Sequence, residues 1–502
     1  MMQPPGIRSD AAVSSCPPEF CNASTSFLQT FPPESSELMV RRMSGFARSR
    51  ICLFSTAFLA FCIFAILAVE LVQAAESSTE LRTSGSESSP PVKSSIGTGP
   101  SVADYPSIQA AIDANPATVL HVPSGEYRIT EKIRIRGNGG GLQGPGVIIQ
   151  TNAEHPIVEI EAASDVLLRD IHLTRPAESA TTGFEGILAI DCRDLVIENV
   201  RITDNRTRSA SIRLHRTQNC RISRCVIENY SRISIDDRTA NTQLYGYAFH
   251  CIDGTGIGIS ESTGTLIEFN RVQENHLRPT KEIRDQYRLG HFAKKNSEKP
   301  PGMNPDVWAA EYVDNWHQGS AILVTSPAVT RNTRIVGNLI LNAAQGIDLH
   351  CDHVTVSGNM VENAFVGMKA MHGSRNVLII GNQFSKNDLW AIGLMPGATS
   401  KAGNTDGGSM IANNIISEFG YGDSNWVWGN TRSPLRFDRG QIESNPPLTD
   451  VLVQGNVIDS EGPPRFEYSV IIEHGDTAPK NLRFIGNMFT PGTSGVCNQS
   501  LP

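Results

Sequence analysis

Residues 334–384 read RIVGNLILNAAQGIDLHCDHVTVSGNMVENAFVGMKAMHGSRNVLIIGNQF. Gly-Asn pairs punctuate the stretch at Gly337-Asn338, Gly358-Asn359 and Gly381-Asn382, spaced by 21 and 23 residues. Between them lie short runs rich in Val and Ile that alternate with other residues. A period of two marks half-buried strands, and Gly-Asn marks tight turns. The signature returns at Gly455-Asn456 and Gly486-Asn487, with looser copies at Asn199, Asn270 and Asn413-Asn414. No helical pattern separates the strands, which argues against a βαβ fold. Strands in units of some twenty residues, with Asn at a fixed turn, predict an all-β chain wound as a single-stranded parallel β-helix. Stacked coils would bring the Asn side chains into a ladder, so these residues are read as structure rather than chemistry.

The rest of the chain sorts around that repeat. Residues 51–69 form an uncharged apolar run preceded by Arg41, Arg42, Arg48 and Arg50, and Val72-Gln73-Ala74 offers a small-residue exit. This describes a secretory signal, and the run is also long enough for a retained anchor. Either reading sends the remainder out of the cytoplasm, as a secreted, periplasmic or cell-surface protein. Met43 opens a conventional basic segment, so residues 1–50 are read as an N-terminal extension plus signal flank. Residues 75–100 are rich in Ser, Pro and Gly and form a linker. Residues 101–495 carry the β-helix, with insertions at 276–318 and 419–440. The net charge of −8 argues against nucleic acid as a partner. It leaves room for an anionic polysaccharide, because a local basic groove can sit on an acidic protein. Of the ten cysteines, Cys192, Cys220, Cys225, Cys251, Cys351 and Cys497 follow the linker, and disulfides or buried free thiols are both open. The expected assembly is a monomer.

Coil ends expose strand edges and need caps. Residues 106–114, PSIQAAIDA, place Ile108, Ala111 and Ile112 on one helical face and predict an N-terminal cap helix. The passage SIQAAIDANPATVLHVPSGEYRITEKIRI, followed by GGGLQGPG, resembles the opening of the pectate-lyase-like right-handed β-helix superfamily. The resemblance implies a right-handed solenoid through about residue 490. It leaves activity open, since the superfamily hosts lyases, hydrolases, epimerases and non-enzymes.

Aligning the coils on the Gly-Asn turn predicts which way the polar residues point. Ile347, Leu349, Met368, Ala370, Ile392, Leu394, Leu435 and Phe437 point inward, and alternate residues point out. One outward file then runs Asp348, Lys369, Gly393, Arg436, and its neighbour runs His350, Met371, Met395, Asp438. Arg213 and His215 follow the same reading in an earlier coil. The predicted arrangement is a solvent-side furrow, with Gly393 leaving room for a sugar ring.

A base flanked by cations suits proton abstraction from C5 of a uronate, whose carboxylate must be neutralised as charge spreads onto it. Lys369 is the candidate base, Asp348 and His350 its acid/base partners, and Arg436 and Arg213 carboxylate clamps. His215, Asp438, Trp426 and Trp428 are candidate substrate contacts, and Trp308 and Trp316 offer further stacking faces. The segment IDLHCD resembles the Asp-Pro-His-Asp signature of mannuronan C5-epimerases, with Leu349 in place of Pro and Cys351 inserted before Asp352. The resemblance implies roles for Asp348 and His350 at the C5 proton. The cofactor is unassigned, with calcium through Asp348, Asp352 or Asp438 as the open candidate. Two alternatives stand beside the lyase or epimerase reading. One is an inverting hydrolase using Asp236 and Asp237, and the other is a non-catalytic carbohydrate-binding or accessory β-helix.

Overall fold

A computed structural model of the protein describes residues 99–502, apart from 177–180, 237–245, 300–304, 315, 398, 424–431 and 441–443. Within it, short strands recur in threes and stack into three parallel sheets of twelve strands each. Every coil contributes one strand to each sheet, and successive coils are neighbours in all three. The strands are short because the chain must turn three corners per coil, and several, such as Leu339–Leu341 and Met360–Glu362, are only three residues long. One continuous apolar core fills the solenoid. It includes Ile212, Leu214, Ile347, Leu349, Met368, Ala370, Ile392, Leu394, Leu435 and Phe437, the residues expected to point inward. A helix at Ile108–Ala114, N-capped by Ser107, adds Ile108 and Ala111 to that core.

The Asn ladder is present and has seven rungs: Asn270, Asn338, Asn359, Asn382, Asn414, Asn456 and Asn487. The Nδ2 of each donates to the Oδ1 of the next at 2.9–3.0 Å. The backbone N–H of each donates to that same oxygen at 2.9–3.0 Å. The second amide hydrogen reaches a carbonyl in the coil before, as from Asn359 Nδ2 to Ile335 O at 2.9 Å. Each rung between the two ends thus uses all the hydrogen-bonding capacity of its amide. The residue ahead of each rung sits in the left-handed region, which explains the Gly of the repeat: φ is +62° at Gly358 and +64° at Gly381. Asn413 and Phe269 hold the same slot elsewhere. Asn199, read as a loose ladder copy, occupies this left-handed slot at φ +52° and bonds Asp170 instead.

Two features of the outer surface differ from expectation. First, the coil path is interrupted earlier than residue 276. Strands Arg232–Asp236 and Tyr247–Asp253 leave the solenoid and pair antiparallel, joined by Phe292–Lys295 from the long insertion. Helices Lys281–Tyr287 and Pro305–Ala310 complete this annex. Second, the third sheet is not open to water along its outer face. Tyr247, Phe249, Leu289 and Trp316 of the annex join Phe365, Met371, Trp390 and Met395 of the coils in a second apolar cluster. Strands Gln345–Leu349, Val366–Ala370, Trp390–Leu394 and Ser433–Phe437 are consequently buried at every residue. Alternation in sequence separates inside from outside, but it carries no information about what is laid over the outside. The predicted solvent-side furrow is therefore a covered one.

The six described cysteines are free thiols, five of them buried. Trp316 is fully buried and stacks on His317 at 3.5 Å, and Trp308 lies under the Lys295 ammonium at 4.5 Å. Trp316 offers no open stacking face, and half-buried Trp308 gives one face to Lys295. Trp426, Trp428 and the apolar run 51–69 lie outside the described residues. Among the described residues, no helix is long and apolar enough to cross a membrane.

Candidate functional site

The register of the third sheet decides which polar residues meet. Leu323 pairs with Asp348, Asp348 with Lys369, Lys369 with Gly393 and Gly393 with Arg436. These residues stand in one column on the face turned away from the solenoid core. Asp348 is its centre. Its Oδ1 lies 2.9 Å from His350 Nε2, and its Oδ2 lies 3.3 Å from Lys369 Nζ. His350 Nδ1 faces the Thr325 hydroxyl at 3.3 Å. His372, at the end of the next coil's strand, sets its ring edge-on to His350 with centroids 4.8 Å apart. Asp348, His350, Lys369 and His372 are each only 5–7% exposed.

Burying a carboxylate raises its pKa, yet that of Asp348 is held well below the usual carboxylate range. The His350 imidazole and the Lys369 ammonium outweigh the burial. A depressed carboxyl stabilises the fold fully above its unfolded value of about 3.9, and that contribution is lost as pH falls through the folded value. The stability gap between the wild-type protein and Asp348→Asn is therefore expected to be widest near neutral pH and to narrow below about pH 4. Urea unfolding at several pH values measures it, and a gap that stays constant down to pH 2.5 would show that Asp348 is not held as an anion.

His372 follows its strand into the turn, and only its place in the fold sets it apart. Burial, reinforced by His350 and Lys369, lowers its pKa to about 2. Its ring is therefore neutral at any physiological pH. Its Nδ1 accepts the Thr399 backbone N–H at 3.2 Å.

The remaining candidates are distributed differently. Arg436 lies two coils beyond Lys369 and is engaged by Asp438 and Glu473, so a sugar carboxylate would compete with both. Burial pushes Asp438 up to about 7 against the pull of Arg436. The space above Gly393 is taken: a Cβ there would stand 3.1 Å from the Trp390 indole and 3.3 Å from the Met395 methyl. Room for a sugar ring at that point, as expected from the missing side chain, is not present in this conformation. Arg213 is in the same column as Asp348, but Gly258 and Leu323 stand between them, a climb of about 14 Å at about 4.8 Å per coil. Arg213 donates to Ser209, and His215 pairs with Ser260. Both belong to a separate part of the face.

Asp352 turns onto the first sheet, where it accepts from His353 N and Asn376 Nδ2. Cys351, fully buried in the core, forms the corner that separates Asp352 from Asp348. The calcium candidates therefore do not converge. Asp348 is occupied by His350 and Lys369, Asp352 lies on another sheet, and Asp438 is paired with Arg436. No group of three or more His, Cys, Asp or Glu side chains among the described residues is arranged to hold a metal ion. Asp236 is buried in the annex sheet opposite Phe249, and Asp237 lies outside the described residues.

Comparison with known proteins fits the architecture. A family model described as a right-handed β-helix region matches residues 185–416. No curated protein sequence matches the chain. Similar solved structures include the A-module of a mannuronan C-5 epimerase from Azotobacter vinelandii, at 15% identity and TM-score 0.43, covering 78% of this chain and 100% of that one. An alginate lyase in complex with G6 aligns at 13% identity and TM-score 0.46, over 78% and 84% of the two chains. An α-1,3-glucanase from Streptomyces thermodiastaticus aligns at 13% identity and TM-score 0.43, over 83% and 72%. None of these likenesses lends this chain an activity. The matched region, the three stacked parallel sheets and the Asn ladder agree on one conclusion: the chain is a right-handed parallel β-helix protein.

Proposed function

We propose that the protein is an exported polysaccharide-active enzyme that abstracts the C5 proton of a uronate residue. The observation that carries the reading is the Asp348 carboxylate bridging His350 and Lys369 on the outer face of the solenoid. A surface ion pair would contribute little and would have no reason to be covered. A buried cluster of one acid, one amine and two imidazoles is costly to assemble unless it is used. The Asp-x-His spacing shared with the epimerase signature supports the same reading.

The Lys369 ammonium gives a proton to solvent as the glycan enters, the free amine takes the C5 proton, and the electron pair left behind spreads into the sugar carboxylate. Asp348 fixes both neighbours. Because an anionic carboxylate can only accept, the proton of His350 sits on Nε2, facing Asp348. To return a proton and be left neutral, His350 carries one on each nitrogen: it keeps Nε2–H on Asp348 and gives the Nδ1 proton either to C5 from the opposite face or to the departing O4. The first outcome is epimerisation, and the second is β-elimination. Since the cluster is more than nine-tenths buried, the glycan must enter by displacing part of its cover. Outer-face side chains such as Trp390 and Met395 are the ones to move.

Incubation with alginate, pectate and chondroitin tests the proposal. Elimination creates an unsaturated uronate that absorbs near 235 nm, and epimerisation exchanges the C5 hydrogen with solvent deuterium. Either signal supports the reading. Reducing-end release without either would favour hydrolysis, and silence on every uronate would overturn the enzymatic reading in favour of a binding or accessory role.

A further inference from the structure

His372 offers the site something that Asp348, His350 and Lys369 do not. Its Nδ1 accepts the Thr399 backbone N–H, so in the neutral ring the proton is on Nε2. That Nε2 is buried and has no hydrogen-bond partner among the described residues. Buried donors in native proteins nearly always find an acceptor, so one left open calls for an explanation.

The ring is also firmly placed. Its carbonyl accepts Asn404 Nδ2 at 2.8 Å. The next two backbone N–H groups, of Gly373 and Ser374, both donate to Asp406 Oδ1 at 2.9 Å. Asp406 is held in turn by Ser400. Gly397 lies against the imidazole so closely that a Cβ there would stand 2.2 Å from Nδ1. Gly397 and Thr399 thus hold the Nδ1 edge of a ring that stands edge-on to His350.

We propose that His372 is a further catalytic residue: its neutral imidazole donates Nε2–H to the oxygen of the substrate on which negative charge gathers as C5 loses its proton. The inference rests on the uronate reading above. It assigns the oxygen to the sugar's carboxylate, which becomes a dianionic enolate-like group in the transition state. No bond to His372 forms or breaks. The C5 proton goes to the base, the electron pair goes into the carboxylate, and the Nε2 proton stays on nitrogen while its hydrogen bond shortens. A neutral imidazole suits this role, because it can donate without first having to acquire a proton. Burial keeps the ring in that form.

The experiment measures kcat and KM on whichever uronate the wild-type protein turns over, for His372→Phe, His372→Leu and His372→Gln. Loss of one preorganised donor to a developing oxyanion is expected to lower kcat by about 10²–10³-fold with little change in KM. Phe and Leu fill the space without a donor and should show this loss, while Gln, which carries an N–H, should recover at least a tenth of wild-type kcat. Thermal unfolding of each variant identifies those that fold, and either apolar variant suffices. A folded Phe or Leu variant with wild-type kcat overturns the inference and leaves the uronate reading standing. So does a loss confined to KM, or a Gln variant no better than Phe. A wild-type protein silent on every uronate overturns both, so the two failures are told apart by the first measurement.

Discussion

Lys369→Arg is expected to lose about 10²–10⁴-fold in rate on the uronate that the wild-type protein attacks, while its unfolding midpoint stays close to wild type. The substitution separates two roles that alanine would confuse. Arginine keeps a positive charge beside Asp348, so an ion-pair partner is replaced by another. It cannot serve as a base, because the guanidinium remains protonated in proteins. Lys369→Met, an apolar replacement of similar length, should lose activity to the same extent and also stability. It strands the Asp348 anion with His350 alone, and breaking a buried pair costs about 3–5 kcal/mol. The assay is the absorbance at 235 nm or C5 deuterium exchange, read alongside urea unfolding. If the arginine variant retains more than a tenth of the wild-type rate, Lys369 is not the base, and the buried cluster is a structural clamp.

The second large effect is on the scaffold. Asn359→Ala removes the acceptor for both the backbone N–H and the Nδ2 of Asn338, each 2.9 Å away. It also removes the donor to Ile335 O. Each buried group left without a partner costs about 1–3 kcal/mol, so two stranded donors predict a loss of about 2–6 kcal/mol. The comparison is Asn363→Ala, in the next turn of the same coil. There the side chain is half-buried and bonds Asn342 and the exposed Asp423, and the loss should stay near 1 kcal/mol. Urea unfolding of the two variants checks the ranking. Equal losses would mean that the ladder adds nothing beyond ordinary turn contacts.

The winding of this chain was legible because its signal repeats. A Gly that must sit at positive φ and an Asn that must bond its copy one coil away recur at the spacing of the coil itself. Period-two runs then give the facing of the five third-sheet strands that carry Ile212, Ile347, Met368, Ile392 and Leu435. The column joining Asp348, Lys369, Gly393 and Arg436 followed from the same count. What the count could not reach was anything set by segments that leave the coil. The annex strands Arg232–Asp236 and Tyr247–Asp253 alternate like coil strands, and nothing local marks them as paired antiparallel outside. The cover over the third sheet comes in part from annex residues tens of positions away, so the burial of Lys369 had no sequence signature, whereas the crowding at Gly393 comes from its own neighbours Trp390 and Met395, whose bulk the in/out count does not weigh. His372 was missed for a related reason. Its role depends on Thr399, Gly397 and Asp406, which reach it only after the chain has gone most of the way round another coil.

Every rung from Asn270 to Asn456 donates to the next toward the carboxyl end of the solenoid, and Asn487 is the last acceptor. The amide dipoles therefore add along the axis instead of cancelling, and each bond polarises the next. The column begins only at the sixth of the twelve coils, where Cys225 N donates to Asn270 Oδ1. The spine thus stiffens the carboxyl-terminal portion, which carries the Asp348 cluster, while the first coils lack it and are tied by core packing, strand pairing and inter-coil pairs such as Arg169 with Glu198 and Arg201 with Glu228. A pull or a rise in temperature should fray this rod from its amino-terminal end and stall where the column begins, one coil short of Asp348.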